Sequence, residues 1–146
     1  MRLSAKTRYG VRMMIDLALN YGRGPLLLKE IARREAISEK FLGQIVIVLR
    51  AAGLVDSIRG KGGGYILSRP PSQITLREVV EALEEGLELV ECLGNPRICS
   101  RVSLCVSRVL WKNLNDRIHE FLNSTTLEDM VKIYREKLGN LPLYSI

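Results

Sequence analysis

Ser38-Glu39-Lys40-Phe41-Leu42-Gly43-Gln44-Ile45-Val46-Ile47-Val48-Leu49-Arg50-Ala51-Ala52-Gly53-Leu54-Val55-Asp56-Ser57-Ile58-Arg59-Gly60-Lys61-Gly62-Gly63-Gly64-Tyr65-Ile66-Leu67-Ser68 decides the fold. Ser38 is an N-cap, because its hydroxyl accepts a backbone N–H that has no partner at a helix start, and Gly53 ends the helix after about Ala52. With Glu39 set at zero and about 100° added per residue, Phe41, Leu42, Ile45, Val48 and Leu49 fall between about 180° and 300° and face a core. Glu39, Lys40, Gly43, Gln44 and Arg50 fall between about 0° and 140°, an open face able to hydrogen-bond. Past Gly53, the strand-like runs Leu54 to Arg59 and Tyr65 to Ser68 flank Gly60-Lys61-Gly62-Gly63-Gly64, which spells a β-hairpin with a glycine turn.

Upstream, Lys29 to Ala36 makes about two helical turns with Ile31 and Ala32 inward, and Ile37-Ser38 forms a tight turn into the helix above. A first helix runs from Ser4 to Tyr21, with apolar residues mostly at three- and four-residue steps until Gly22-Arg23-Gly24-Pro25 stops the pattern. Downstream, Thr75-Leu76-Arg77-Glu78 is a capping box for a helix through about Glu85, closed by Gly86. Leu87 to Leu104 reads as irregular. From Cys105 to Asn123 a long helix carries Leu110, Trp111, Leu114, Ile118, Phe121 and Leu122 as one apolar stripe, more than a small basic domain can cover. Thr125-Thr126-Leu127-Glu128 caps a last helix to about Leu138, and Gly139 to Ile146 reads as a tail. The expected fold is mainly α with a small β-hairpin wing: a winged helix-turn-helix domain plus a long dimerisation helix. The division is 1–85 for the winged domain, 86–104 for a cysteine-bearing loop, 105–138 for dimerisation helices and 139–146 for the tail.

With 146 residues and 47% hydrophobic content, the chain can bury one modest core, or a small domain plus an arm completed by another subunit. Its net charge of +6 is unevenly spread. Up to Pro70 there are 13 Lys/Arg against 5 Asp/Glu, a balance of +8, and thereafter 9 against 11, or −2. A basic half followed by a mildly acidic half suggests a polyanion-binding module and a sensing or pairing module. A charge interrupts the first apolar run and no small-residue cleavage site follows. No segment holds the roughly 18 uninterrupted apolar residues of a membrane span, so the expected location is cytoplasmic. No nucleophile–base pair stands out and the carboxylates sit on solvated helix faces, which excludes an enzyme.

The second helix of the pair is where a recognition helix meets base edges in the major groove of double-stranded DNA. Gln44 suits a bidentate pair with adenine, Lys40 suits guanine or phosphate, and the exposed Ile47 suits a thymine methyl. Arg59 and Lys61 flank glycines that let the backbone approach phosphates or enter a minor groove. The DNA-facing set is Arg2, Ser38, Lys40, Gln44, Arg50, Arg59, Gly60, Lys61, Gly62 and Gly63. A nucleotide-binding loop is the rival use of such glycines, and it is disfavoured because this run lacks the Walker spacing and its Lys-Ser/Thr end.

Cys92, Cys99 and Cys105 are spaced C-x6-C-x5-C in a loop with Gly94 and Pro96, leading into a helix. An odd number of cysteines argues against a secreted disulfide framework. Thiolates bind soft metals, and a helix N-terminus offsets their charge, so the trio fits an iron-sulfur cluster. Zinc, redox pairing or plain burial are the other uses open to it, though structural zinc prefers C-x2–4-C pairs.

Residues 1 to about 138 resemble the IscR-like family of bacterial transcription regulators, which includes iron-sulfur, nitric-oxide and cysteine-metabolism sensors. The likeness rests on Met1-Arg2-Leu3-Ser4 with Arg8-Tyr9, on Ile37-Ser38 through Leu42 and Gln44, on Gly53-Leu54-Val55, on Arg59 through Tyr65, and on the cysteines before Trp111. It implies a homodimer crossing through the long helix, a roughly palindromic promoter site, and a cluster held by Cys92, Cys99 and Cys105, with 2Fe-2S favoured over 4Fe-4S. The alternative is a cluster-free regulator of the same fold that answers to thiol oxidation or a protein partner. The family's histidine ligand falls on Arg108, which stays protonated and cannot ligate. The positions from which relatives draw an N-terminal ligand are Arg8 and Arg33, so the fourth ligand is unassigned. A carboxylate such as Glu91, a thiol, water and a group of the other subunit are candidates. His119, the only histidine, lies about 16 Å further along the helix and is expected to be a plain helix residue. Gly43 stands where relatives carry a glutamate that reads sequence, so operator preference does not transfer.

Overall fold

The computed structural model describes residues 2–140. Met1 and residues 141–146, part of the expected tail, lie outside the described residues. Helix α1 (Ala5–Leu19) is capped by Ser4, whose hydroxyl accepts from Thr7 N at 3.1 Å. Helices α2 (Leu28–Glu35) and α3 (Glu39–Ala51) follow. The turn between them places Ala36 at φ 54°, so the chain reverses within Ala36, Ile37 and Ser38. Ser38 caps α3 as expected, with its hydroxyl 3.0 Å from Phe41 N.

Strands β1 (Val55–Ile58) and β2 (Gly64–Leu67) pair antiparallel, with Val55 opposite Leu67 and Ile58 opposite Gly64. Leu26 extends this wing: it donates to Tyr65 O at 3.0 Å and accepts from Tyr65 N at 2.8 Å. Gly64 makes this possible, because a side chain there would run into the Leu26 backbone. The core gathers Met13, Met14, Ile31, Leu42, Ile45 and Leu49 from the first three helices with Leu54 and Val55 of the wing. Val46, outside the arc expected to face inward, is also buried, at 2% exposure, because α3 packs against α1, α2, the Leu76–Leu83 helix and the wing on more than one side.

Helix α1 ends at Leu19, short of the expected Tyr21, and the later elements depart from the sequence expectations as well. Helix α4 (Leu76–Leu83) stops before Gly86, since Glu84 turns extended and sends its carboxylate to the start of α1. The 87–104 stretch is not wholly irregular: it holds a short helix α5 (Glu91–Gly94) and a 3-10 turn over Pro96–Ile98, set by Pro96 and by Asn95 Oδ1 accepting from Arg97 N. Cys105 is the N-cap of α6 (Val106–Ser124), not its first residue. The last helix, α7 (Leu127–Gly139), is capped by Thr126 with Asp129 and not by Thr125 with Glu128, and it takes in Gly139. That register buries Leu127 and Val131 in the core of the winged domain, with Leu127 N bonded to Ile74 O at 3.0 Å.

One oxygen of Glu84, Oε2, accepts from Ser4 N and Ser4 Oγ at 3.1 Å each and from Thr7 Oγ1 at 2.5 Å. The Thr7 hydroxyl, then the Ser4 backbone N–H, hold this carboxyl below the ordinary glutamate value of 4.5, outweighing the opposing effect of burial. A lowered carboxyl stabilises the fold above its unfolded value and loses that contribution as pH falls through its folded value. In Glu84→Gln, urea midpoints measured from pH 6 down to 3 are therefore expected to fall less steeply than in the parent. Parallel curves would remove Glu84 from the acid response.

Candidate nucleic-acid interface and cysteine loop

Helix α3 rests on its buried face and turns Lys40, Gln44, Ile47 and Arg50 outward, with Ile47 66% exposed. An apolar side chain of that size in water on an otherwise well-packed helix invites a partner surface. Ile47 and Arg50 line a cleft of about 500 Å³ with Ala51, Val55, Asp56 and Ser57 of the neighbouring wing strand. Asp56 and Ser57 were not singled out from sequence, since only the hairpin register brings them beside α3. Ser38 uses its oxygen lone pair on the cap, which leaves its hydroxyl proton free for an acceptor outside the chain.

Ion pairs sort the basic half into structural and free cations. Arg12 joins Glu35 at 3.2 Å and Arg34 joins Asp16 at 3.0 Å, and both pairs lash α2 to α1. Arg69 and Arg77 are likewise matched, to Glu78 and Glu81. Among the described residues, Arg2, Lys40, Arg50, Arg59 and Lys61 have no such partner, and neither have Lys6, Arg8, Arg23, Lys29 and Arg33. Arg59 and Lys61 stand exposed at the wing tip beside Gly60 and Gly62, whose φ angles of 95° and 77° suit glycine. Gly63 differs from its neighbours: it is buried, donates to Gly60 O at 3.0 Å, and a side chain there would strike the carbonyls of Ile58 and Gly60. Its part is to close the turn. Arg2 lies apart from α3 and the wing, on an apolar groove of about 620 Å³ shared with Arg8, Glu84 and Glu88 and with Ile118 and Leu122 of α6. Gly43 faces Leu28 at ordinary contact distance, so no steric demand keeps a side chain off it.

Beyond this domain, α6 leaves much of its apolar stripe uncovered: Leu110, Trp111, Leu114 and Phe121 are exposed, Leu110 at 60% and Phe121 at 63%, whereas Ile118 and Leu122 are half-buried. The only buried residue of this 19-residue helix is Asn115. His119 is half-buried and its Nε2 has no hydrogen-bond partner among the described residues.

Cys92 sits in α5, Cys99 ends the 3-10 turn and Cys105 caps α6, and all three are free thiols. The structure strings them along one loop without gathering them. Among the described residues, no three Cys, His, Asp or Glu side chains converge on a metal-holding position. The Ser107 hydroxyl, 3.2 Å away, and the Arg108 backbone N–H draw the Cys105 thiol below its ordinary range. By donor chemistry, three thiols on one loop, Cys99 exposed and Cys92 and Cys105 half-buried, with Cys105 biased toward thiolate, fit an iron-sulfur cluster. The fourth expected position holds Arg108, whose guanidinium donates to Cys92 O at 3.3 Å and whose Nε is buried without a partner among the described residues.

Residues 3–133 match the family model described as Rrf2, iron-dependent transcriptional regulator. The chain belongs to this family. Its relatives include the HTH-type transcriptional regulator IscR of Sodalis glossinidius, 44% identical over 131 residues that span 90% of this chain and 79% of the relative. Among solved structures, CymR, the global cysteine regulator of B. subtilis, superposes with a TM-score of 0.79 at 41% identity, covering 91% of this chain and 98% of that one. IscR of T. potens superposes with a TM-score of 0.78 at 38% identity, covering 97% and 93%. This Rrf2 protein is thus a winged-helix, DNA-binding transcription regulator and not an enzyme. No helix among its described residues is long and apolar enough to cross a membrane.

Proposed function

We propose that this Rrf2 protein works as a homodimer that reads a roughly palindromic promoter site and senses iron-sulfur status, iron or redox through a cluster bound by Cys92, Cys99 and Cys105. The observation that carries the sensing half is the loop of three free thiols, set between the winged domain and α6, in a chain 44% identical to IscR. Two recognition helices yoked by paired α6 stems match a two-fold operator, since dimers of this kind read half-sites one helical turn apart. Residues 1–85 are the reading head, 86–104 the sensor and 105–138 the stem, with α7 folded back onto α1 as a brace. Ser38, Lys40, Gln44 and Arg50 of α3 face the major groove. Arg59, Gly60, Lys61 and Gly62 form the wing contact that Gly63 shapes, and Arg2 adds a cation near the stem. A regulator of chromosomal promoters acts in the cytoplasm.

What a bound cluster would supply is a one-electron couple, 2Fe-2S favoured over 4Fe-4S, that is sensitive to oxidants and to iron supply. Cys105 is held toward thiolate by Ser107 and Arg108, and Arg108 fixes the Cys92 backbone. The fourth donor comes from outside this trio. Anaerobic purification is expected to give coloured protein with equal iron and acid-labile sulfide, and Cys99→Ala to lose both. Colourless parent protein with neither, and DNA affinity unchanged in Cys99→Ala, would favour the cluster-free reading, to which the close superposition on CymR lends weight.

DNA binding makes a separate expectation. Every phosphate that a cation neutralises releases counterions, so affinity is expected to fall steeply with salt. Replacing both Arg59 and Lys61 by alanine is expected to flatten the log–log salt slope by about one for each phosphate that is no longer neutralised. An unchanged slope in the double variant would take the wing away from the backbone.

A further inference from the structure

Asn115 is a polar residue buried to 6% exposure on a helix whose apolar side chains face outward. Both ends of its amide are used by the segment that leads to Cys92. Its Oδ1 accepts from Leu89 N at 2.9 Å, and its Nδ2 donates to Glu88 Oε2 at 2.6 Å. Two turns earlier on the same face of α6, about 10 Å along the axis, Arg108 donates to Cys92 O. At the far end of the same segment, Glu84 holds Ser4 and Thr7 at the start of α1. Residues 84–92 therefore form a strap fastened to the reading head at one end and to α6 by two rungs at the other.

Four residues lie between Glu84 and Leu89, so those two attachments stand no more than about 18 Å apart. A displacement at Cys92 that does not slip the rungs is passed along this segment toward Glu84. An apolar side chain at position 115 would fill the space without choosing a register, whereas a buried amide with both groups satisfied permits one. We propose that Asn115 is a positioning residue that sets the register of the strap on α6, so that movement at Cys92 reaches the first turn of α1, beside Arg2. The inference rests on the reading of the cysteine loop as the sensing element.

The test uses the full chain, metal-free and reduced, before and after alkylation of its thiols by iodoacetamide, with amide hydrogen exchange followed by NMR. In the parent chain, alkylation is expected to change exchange at the Ser4 amide at least about tenfold, the size of one broken hydrogen bond to a charged group. In Asn115→Leu the Leu89 amide exchanges faster and the Ser4 response disappears, although mass spectrometry finds the same alkyl groups. The double variant Asn115→Asp with Glu88→Gln lets one carboxylate accept from both the Leu89 N–H and the new side-chain amide, and it restores the response. A parent in which Ser4 does not respond, or an Asn115→Leu variant that responds equally, overturns the proposal. Iron and sulfide content does not enter this measurement, so a chain that binds no cluster would remove the cluster reading and leave this one standing.

Discussion

Replacing Leu110 and Phe121 together by glutamate is expected to leave the protein monomeric and to lower its affinity for operator DNA by about 10²- to 10⁴-fold. Both side chains lie more than half in water on α6, so the substitutions bury no charge and break little packing inside the chain. Their cost appears only when a second stem packs there, where four carboxylates would meet across the two-fold seam of a dimer. In the proposed dimer, losing that seam would remove the linkage between the two half-sites, and the second would no longer be engaged at high effective concentration. Analytical ultracentrifugation reads the first half of this expectation and fluorescence anisotropy with operator DNA the second. A variant that stays dimeric would place the pairing surface elsewhere, and a monomer with undiminished affinity would show that one reading head suffices.

The second large effect is expected at Leu42, which is fully buried between α3 and the rest of the core. Leu42→Ala removes buried carbon atoms and leaves a cavity, at a cost of about 2–5 kcal/mol. For a chain of this size that is a drop in melting temperature of roughly 6–20 °C. Ile47, five residues on, gives the contrast: at 66% exposure its truncation should leave stability within about 0.5 kcal/mol and weaken DNA binding. Thermal denaturation of both variants beside their DNA affinities separates the two faces of α3. Equal destabilisation would mean that Ile47 packs inside the fold and that α3 is turned about its axis.

Much of this architecture is visible in the chain because its signals are local. Ser38 announces α3, Thr75 and Glu78 announce α4, and the glycine run announces the wing, since each rests on backbone geometry within a few residues. The face of α3 turned to solvent also follows from helical periodicity, and Lys40, Gln44, Ile47 and Arg50 are found there. The Thr125–Thr126 pair shows the limit. Both threonines have an acidic residue three positions on, and the choice falls on Thr126 because that register buries Leu127 and Val131 against α1 and the turn before α4.

The site is less legible than the fold. Gly63 belongs to the same run as Gly60 and Gly62, yet it closes the turn from a buried position while they stand at the tip. Arg2 counts among the basic residues of the reading half, but lies on the groove beside α6. Asn115 and Glu84 carry no motif, and both are found only through partners 26 and 80 residues away.

From its sequence alone, this protein is determined as a basic winged helix-turn-helix head followed by a cysteine loop and a long amphipathic helix, because period, capping and turn chemistry are written into neighbouring residues. Only the tertiary structure decides which cations stay free for phosphate, which glycine shapes and which can touch, and how the cysteine loop is lashed to both head and stem. Those outcomes depend on ion pairs and hydrogen bonds between residues far apart in the chain, whose meeting is a property of packing and not of any local pattern.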